Sequence, residues 1–138
     1  EKEGTMNAQV HRTGETYRYQ LNIKHLLLTA RNAAPDQEIV YRDRVRYTYR
    51  DLITRINRLA SALSTLGVKP GDTVSVLDYD SHRYLECYFA IPMMGAVLHT
   101  VNVRLPAEQL AYTIEHAEDD VILAWLLSMK ISFLCSTR

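Results

Sequence analysis

Three histidines, His82, His99 and His116, recur at intervals of seventeen residues, and regularly spaced imidazoles first suggest a metal centre. That interval is far longer than the two to five residues that usually separate paired zinc ligands. The element pattern below also sends His82 and His99 to one edge of a sheet and His116 to the other. Three ligands cannot converge on one ion from two edges, so packing and capping histidines are expected, with no metal site. Arg42, Arg44 and Arg46 alternate, with Tyr41, Tyr47 and Tyr49 interleaved. On an extended chain the guanidinium groups share one face, and tyrosine rings can stack on bases. The chain nevertheless carries sixteen basic and sixteen acidic side chains for a net charge of zero. A nucleic-acid footprint is normally a basic domain, so a solvated sheet face is expected and no nucleic-acid partner.

Other chemistry-bearing residues read the same way. Met93 and Met94 suit core filling better than ligation. Asp78, Asp80, Glu118, Asp119 and Asp120 look like loop and cap carboxylates, with no spacing that argues acid–base work. The five glycines, Gly4, Gly14, Gly67, Gly71 and Gly95, are scattered, so no backbone nest is expected to cradle a triphosphate. The residues themselves therefore nominate no catalytic, cofactor-binding or metal-binding position.

The elements that would position these residues follow from periodicity. Between Thr73 and Asp120 the pattern changes period four times. The apolar run at Val74–Leu77 gives way to a helical segment from Ser81 to Met94, then to a second run from Val97 to Val101, then to a helix from Pro106 to Ala117. Val121-Ile122-Leu123-Ala124 supplies a third strand. Continuous apolar strands separated by crossover-length helices belong in a parallel sheet covered on both faces, with right-handed connections. The expected fold class is α/β: a partial three-layer βαβαβ arrangement preceded by a helix and a β-hairpin.

Upstream, Asn22 is a candidate N-cap for a helix ending near Ala34, with Leu21 and Leu26 as a hydrophobic staple and Ile23, Leu26, Leu27 and Ala30 on one face. Glu38–Asp43 and Val45–Thr48 alternate and should pair as a hairpin. Thr48-Tyr49-Arg50-Asp51 resembles a capping box. The stripe Leu52, Ile56, Leu59, Leu63 and Leu66 follows, closed by Gly67 and Val68. In the Ser81–Met94 helix, Tyr84, Leu85, Tyr88 and Phe89 should face inward, and Pro92 should kink or end it. Leu110, Ala111 and Ile114 should form the buried stripe of the last helix.

A chain of 138 residues suits one domain burying roughly 68% of its extended surface and excludes a second full domain. Cys87 reads as core and Cys135 as a tail residue, too few for a disulfide framework, which fits a reducing cytoplasm. The polar N-terminus offers no signal peptide, and no apolar run approaches the ~20 residues a membrane span needs. Residues 1–20 are expected to be a mobile arm, 21–124 the folded part, and 125–138 an aberrant tail with neither stop signal nor amphipathic pattern.

A family resemblance rests on several stretches. These are Tyr47–Leu52, Ala60–Asp72 (ASALSTLGVKPGD), Phe89–Leu105 (FAIPMMGAVLHTVNVRL), Glu108–Ile114 and His116–Asp119. Over residues 21–124 the chain resembles the N-terminal part of AMP-forming acyl-CoA synthetases, the long- and medium-chain fatty acid–CoA ligases in particular. The resemblance implies an intact enzyme that uses ATP and magnesium to form an acyl-adenylate and then passes the acyl group to coenzyme A. The family's phosphate loop, its adenine and ribose contacts, its hinge and its catalytic lysine lie downstream of this stretch. Its catalytic residues therefore have no counterparts here, and the fragment is expected to bind none of these cofactors and to be inactive alone.

The family usually follows the Val121 strand with a segment like Val-Asn-Glu-Asp-Phe. Ser128–Phe133, written in permitted codons and read one frame over, gives Asn-Glu-Asp-Phe-Phe. A frameshift from about Ala124 onward is therefore expected, and a gene without a synthetase-like frame beyond the stop would refute it. Two contrasting functions remain. One is a dimerising interaction module, a homo-oligomer pairing through the raw edge of the last strand. The other is a small stand-alone nucleotide-binding α/β domain.

Overall fold

The computed structural model describes residues 20–125 and the backbone of a short strand at Leu134–Cys135. In chain order the elements are α1 (Lys24–Ala33), β1 (Glu38–Tyr41), β2 (Val45–Thr48), α2 (Tyr49–Thr65), β3 (Thr73–Leu77), α3 (His82–Met93), β4 (Val97–Thr100), α4 (Ala107–His116), β5 (Val121–Ala124) and β6 (Leu134–Cys135). The expected N-terminal arm and most of the expected aberrant tail lie outside the described residues.

The parallel sheet forms around β3. Its strand order is β4-β3-β5-β6, with β3 parallel to both β4 and β5. The register pairs Val74 with Leu98 and Val121, and Ser75 with His99 and Ile122, so each row of side chains crosses all three strands on one face. Val74, Val76, Leu98, Val121 and Leu123 form the face that α2 and α3 cover, through Leu63, Val68, Tyr84, Cys87 and Ile91. The alternate row, which includes Ser75 and His99, faces the other way. Reversing direction from β4 back past β3 to β5 puts α4 on that second face if the crossover is right-handed.

One expectation is corrected at the sheet's margin. The outer edge of β5 is not raw: β6 pairs with it antiparallel, Cys135 opposite Val121 and Leu134 opposite Ile122. Among the described strands the sheet ends at β6 on that side and at β4 on the other, where Val97 is 52% exposed. The expected α/β class and three-stranded parallel core are as read from the sequence.

Local sequence rules explain the best-packed helix. Thr48 caps α2 by accepting the Asp51 N–H at 3.2 Å, while Asp51 accepts the Thr48 N–H at 3.0 Å, a complete capping box. Leu52, Ile56 and Leu63 are buried along one stripe, whereas Leu66 at the last turn is half exposed. The Val68 N–H donates to the Leu63 carbonyl and the Gly67 N–H to Ser64, the Schellman pattern. β1 and β2 form the expected hairpin with Glu38 opposite Thr48 and Tyr41 opposite Val45. Its turn places Arg42 and Asp43 at φ 48° and 52°, as the right-handed twist of a tight hairpin demands.

Helix α3 runs through Pro92 and ends one residue later at Met93 with no break before it; Pro92 has no N–H for the helical ladder, and the helix closes within that turn. The Ala96 N–H donates to Ile91 and the Gly95 N–H to Pro92, closing this helix as α2 is closed. Tyr88, expected inside, is exposed; Glu86, Cys87, Ala90 and Ile91 are buried instead. Helix α4 ends in the same way with Glu118 where glycine is usual, at φ 53°, and the Asp119 N–H donates to Ile114.

Two apolar expectations fail for one reason. Asn22 does not cap α1; its side chain donates to Gln20, and the first turn is wound tightly by the His25 N–H donating to the Asn22 carbonyl. Leu21 is 95% and Leu26 69% exposed, so the staple is absent and α1 buries only Leu27. Likewise α4 has no fully buried residue, and Leu110 and Ile114 are half-buried. Both helices sit at the periphery, where a periodic stripe has no second surface to meet. Among the described residues no helix is long and apolar enough to cross a membrane.

These helix ends predict opposite effects of opposite substitutions. Gly95 sits at φ +87°, and a Cβ there would lie 3.2 Å from Pro70 Cβ. Gly95→Ala should lower the unfolding free energy by about 2 kcal/mol, whereas Glu118→Gly should raise it by about 0.5 kcal/mol. Urea denaturation followed by circular dichroism measures both.

Candidate functional site

The carboxyl ends of β3 and β4 are where an open α/β sheet places ligands, since the chain leaves these neighbouring strands for opposite faces. The turn after β3 holds itself together. Asp78 is almost fully buried, accepts the Tyr79 N–H at 2.7 Å, and accepts the Ser81 hydroxyl. Ser81 in turn caps α3, accepting the Arg83 and Tyr84 N–H groups. Asp80 between them is at φ 38°. Three hollows surround this turn.

The largest, about 410 Å³, has an apolar floor of Leu59, Val76, Cys87 and Leu123. Its wall includes an ion pair that joins α2 to α3, Arg55 Nε to Glu86 Oε1 at 2.6 Å, with the glutamate buried. Arg55 also lies over the Tyr47 ring, at 5.5 Å. Arg83 stacks 3.5 Å above the Trp125 ring at the rim. Burial, and then the nearby Glu86 charge, pushes the Cys87 thiol up to about 12, so it remains a protonated core group rather than a nucleophile.

The second hollow, about 320 Å³, shares Asp78, His82, Arg83 and Trp125 with the first and adds Tyr41, Arg42 and Arg44 from the hairpin. The arginine–tyrosine alternation therefore does not act as one surface. Arg46 is turned away to Glu38 at 3.6 Å and Asp43 at 3.2 Å. His82 packs against Tyr41 and Tyr47 with ring centroids 5.4 and 6.2 Å away. Burial, then the Arg83 charge, holds its pKa below the usual imidazole value, and its Nδ1 has no hydrogen-bond partner.

The third hollow, about 210 Å³, lies at the β3–β4 switch itself and is lined by Tyr79, Asp80, Tyr84, Thr100, Asn102 and Arg104, among others. Arg104 lies 5.8 Å over the Tyr79 ring. Burial, then Tyr88, pushes the Tyr84 phenol up to about 12, so it serves as a neutral hydrogen-bonding group.

His99 is elsewhere. Its Nδ1 lies 2.9 Å from both carboxylate oxygens of Asp119, whose side chain is 0% exposed. This pair was not visible in the sequence, where twenty positions separate its members; the alternation that puts His99 beside Ser75 was the one available hint. Ser75, histidine and aspartate on one side of a sheet resemble a hydrolytic triad in composition only. The Ser75 hydroxyl is fully buried and directed at the Val121 carbonyl, 3.4 Å away, and none of the three hollows reaches it. The pair is a strut tying β4 to the loop between α4 and β5.

The remaining flagged residues are dispersed. His116 is stacked on Tyr112 at the exposed end of α4, with centroids 5.5 Å apart. Asp120 accepts the Thr73 N–H at 2.8 Å, a cap on β3. Met93 is exposed, and Met94 packs against the core. Among the described residues no group of three or more His, Cys, Asp or Glu side chains could hold a metal ion.

A parallel α/β sheet with its hollows gathered at a switch point defines the general class; sequence comparison defines the family. Residues 28–135 match the AMP-binding enzyme family, and the chain belongs to it. It is 50% identical over 78 residues to a long-chain-fatty-acid–CoA ligase of Thermus thermophilus, covering 56% of this chain and 14% of that one. It is 36% identical over 114 residues to a medium-chain-fatty-acid–CoA ligase of Ectopseudomonas oleovorans, covering 80% and 21%. Among solved structures, a fatty acyl CoA synthetase of Mycobacterium tuberculosis superposes with a TM-score of 0.69 at 26% identity, over 75% of this chain and 21% of that one. The inhibitor-bound N-terminal domain of FACL13 from the same organism gives 0.69 at 26%, over 75% and 26%. The chain thus spans between 14% and 21% of these curated relatives and corresponds to their N-terminal part.

Two measurements test the site's electrostatics. Asp119→Ala leaves His99 without its buried partner and should lower stability by about 2 kcal/mol in urea titrations. Because the folded pKa of His82 is depressed, the unfolded chain binds more protons near the ordinary imidazole pKa. Its contribution should be neutral above about pH 6.5 and increasingly destabilising as pH falls below it. The stability difference between wild type and His82→Gln should therefore vary with pH between about 7 and 5 and level off above.

Proposed function

We propose that this chain is the N-terminal scaffold portion of a fatty acid–CoA ligase, an enzyme that adenylates a carboxylate with ATP and magnesium and transfers the acyl group to coenzyme A. The match of residues 28–135 to AMP-binding enzymes, with relatives named for long- and medium-chain fatty acids, carries this reading. The isolated chain is catalytically silent and binds no cofactor of its own. In support, the described glycines Gly67, Gly71 and Gly95 each serve a turn or a helix end at positive φ, and are spent on backbone reversal rather than on a phosphate cradle.

The same reading places the protein in the cytoplasm and assigns residues from about Ala124 onward to a frameshift. The interaction-module alternative draws on β4, whose outer edge has no partner among the described strands and could pair with a second copy. Its shortness, four residues, limits what such pairing contributes.

Calorimetric titration with magnesium-ATP and fatty acid, followed by an assay for acyl-adenylate, separates these readings. The scaffold reading expects no binding heat at millimolar ATP and no adenylate. Saturable ATP binding would favour the stand-alone nucleotide binder, and adenylate formed by the purified chain would overturn the proposal outright. A concentration-dependent doubling of mass in light scattering, lost in Val97→Lys, would establish the edge dimer.

A further inference from the structure

His82 opens α3 at the point where the β1–β2 hairpin leans on the rest of the protein. Its ring lies 5.4 Å from that of Tyr41, at the tip end of β1, and 6.2 Å from that of Tyr47 in β2. The two ends of the hairpin are held differently. At the base, the Tyr49 and Arg50 N–H groups donate to the Gln37 and Pro35 carbonyls, and Ile39 and Tyr47 pack against the cluster of Leu52, Ile56 and Ala90. The tip is a unit of its own, closed by the Arg44 N–H donating to the Tyr41 carbonyl at 3.0 Å. Beside it lies the 320 Å³ hollow, with Arg42, Arg44 and Val45 of the tip and Tyr79 and Arg83 of the body in its wall. The tip therefore rests on the body through Tyr41 and His82 rather than through continuous packing.

That contact suits a neutral imidazole. Nδ1 of His82 is buried without a hydrogen-bond partner, so in the imidazolium it would be an N–H that nothing accepts. The Tyr47 hydroxyl, also buried and unpaired, does not reach it. Each tyrosine ring already carries a guanidinium, Arg42 at 5.3 Å over Tyr41 and Arg55 at 5.5 Å over Tyr47, so an imidazolium would be a second cation on both. Arg83 follows His82 on α3, Arg44 joins Arg42 at the hollow, and the amino end of the helix adds its positive pole. The nearby carboxylates are committed: Glu86 to Arg55 at 2.6 Å, Asp78 to the Tyr79 N–H at 2.7 Å and the Ser81 hydroxyl. Asp43, the acid of the tip itself, is turned to Arg46. Four arginines, at 42, 44, 55 and 83, thus face two carboxylates before His82 takes up a proton. We propose that protonation of His82 releases the hairpin tip, so that Tyr41–Val45 swings off α3 about the base at Gln37–Tyr49 and opens the hollow while the parallel sheet stays folded.

The sign follows from the two states of the tip. Burial, then the Arg83 charge, depresses the imidazole while the tip is down, whereas a released tip leaves it near the ordinary value of about 6.5. Tip closure is therefore at full strength above about pH 6.5 and weakens by up to about tenfold for each pH unit below it, until the enclosed ring itself protonates. Nuclear magnetic resonance on the isotopically labelled full chain reads both events. Overhauser contacts between the Tyr41 and His82 rings should be present at pH 7.5 and lost by pH 5, with the midpoint of the His82 ring-proton titration and below about 6.5. Cross-strand contacts of Val74 with Leu98 and Val121 should persist throughout. His82→Phe, a ring that takes no proton, should keep its contact with Tyr41 at both pH values. Contacts between Tyr41 and His82 that survive at pH 5 overturn the proposal, whether the imidazole is then charged or still neutral. So does a pH-dependent release in His82→Phe, or loss of the Val74 contacts over the same range, which would be unfolding of the whole. If His82→Phe does not fold, the wild-type titration decides alone.

Discussion

Both parallel ladders of this protein run through β3. Val74 and Ser75 are completely buried, Val76 and Leu77 nearly so, and the strand's backbone is engaged on both sides, extending to the Val101 and Trp125 N–H groups beyond the formal strand ends. Removing β3 from water on two edges and two faces leaves β4 and β5 no alternative partner, and their register follows from it. The helices α2 and α3 then have one apolar surface to cover, the row through Val74 and Val76, and their stripes meet there. The hairpin and α1 are attached to this unit through a second cluster around Leu52, Ile56 and Ala90, and so depend on it in turn.

Polar interactions refine the placement that burial decides. The Arg55–Glu86 pair fixes α2 against α3 at a point where one member is buried and the other reaches solvent. A buried glutamate without its guanidinium is costly, so the pair acts more as a constraint on how the helices sit than as a net gain in stability. His99 and Asp119 do the same between β4 and the α4–β5 loop. Glu118 contributes there through its backbone: its left-handed conformation turns the chain so that Asp119 points back under the sheet.

How much was readable in the sequence tracks how local the cause is. The Thr48–Asp51 capping box, the leucine stripe of α2 and its Gly67–Val68 close each depend on residues within five positions of their nearest partner, and all were legible. Strand identity and parallel pairing were legible because apolar runs and crossover-length helices leave few topologies. The failures needed knowledge of what lies outside an element. Leu21, Leu26, Tyr88 and the α4 stripe have the right periodicity, but periodicity states only that a face is apolar, not that anything meets it. The Arg55–Glu86 and His99–Asp119 pairs join residues 31 and 20 positions apart, and no single-sequence signal connects them. The candidate site was not legible: the sequence nominated no site residue, and the grouping of His82, Arg83 and Trp125 around the larger hollows arises from tertiary packing.

The two ends of the sheet are built differently. At the amino end, Gly71 donates to the Gly95 carbonyl, Val97 donates to Asp72, Asp120 exchanges bonds with Thr73, and Gly95 rests against the Pro70 ring. Those connections interlock, so an added residue in one would displace its neighbour as well. The carboxyl end carries the self-bonded turn at residues 78–81 and the open connection at 101–106, which no such interlock ties to its neighbours. Length variation is therefore tolerable at one pole of the molecule and penalised at the other. A lineage drawing new specificities from this scaffold would diversify the permissive pole while keeping the opposite connections at fixed length.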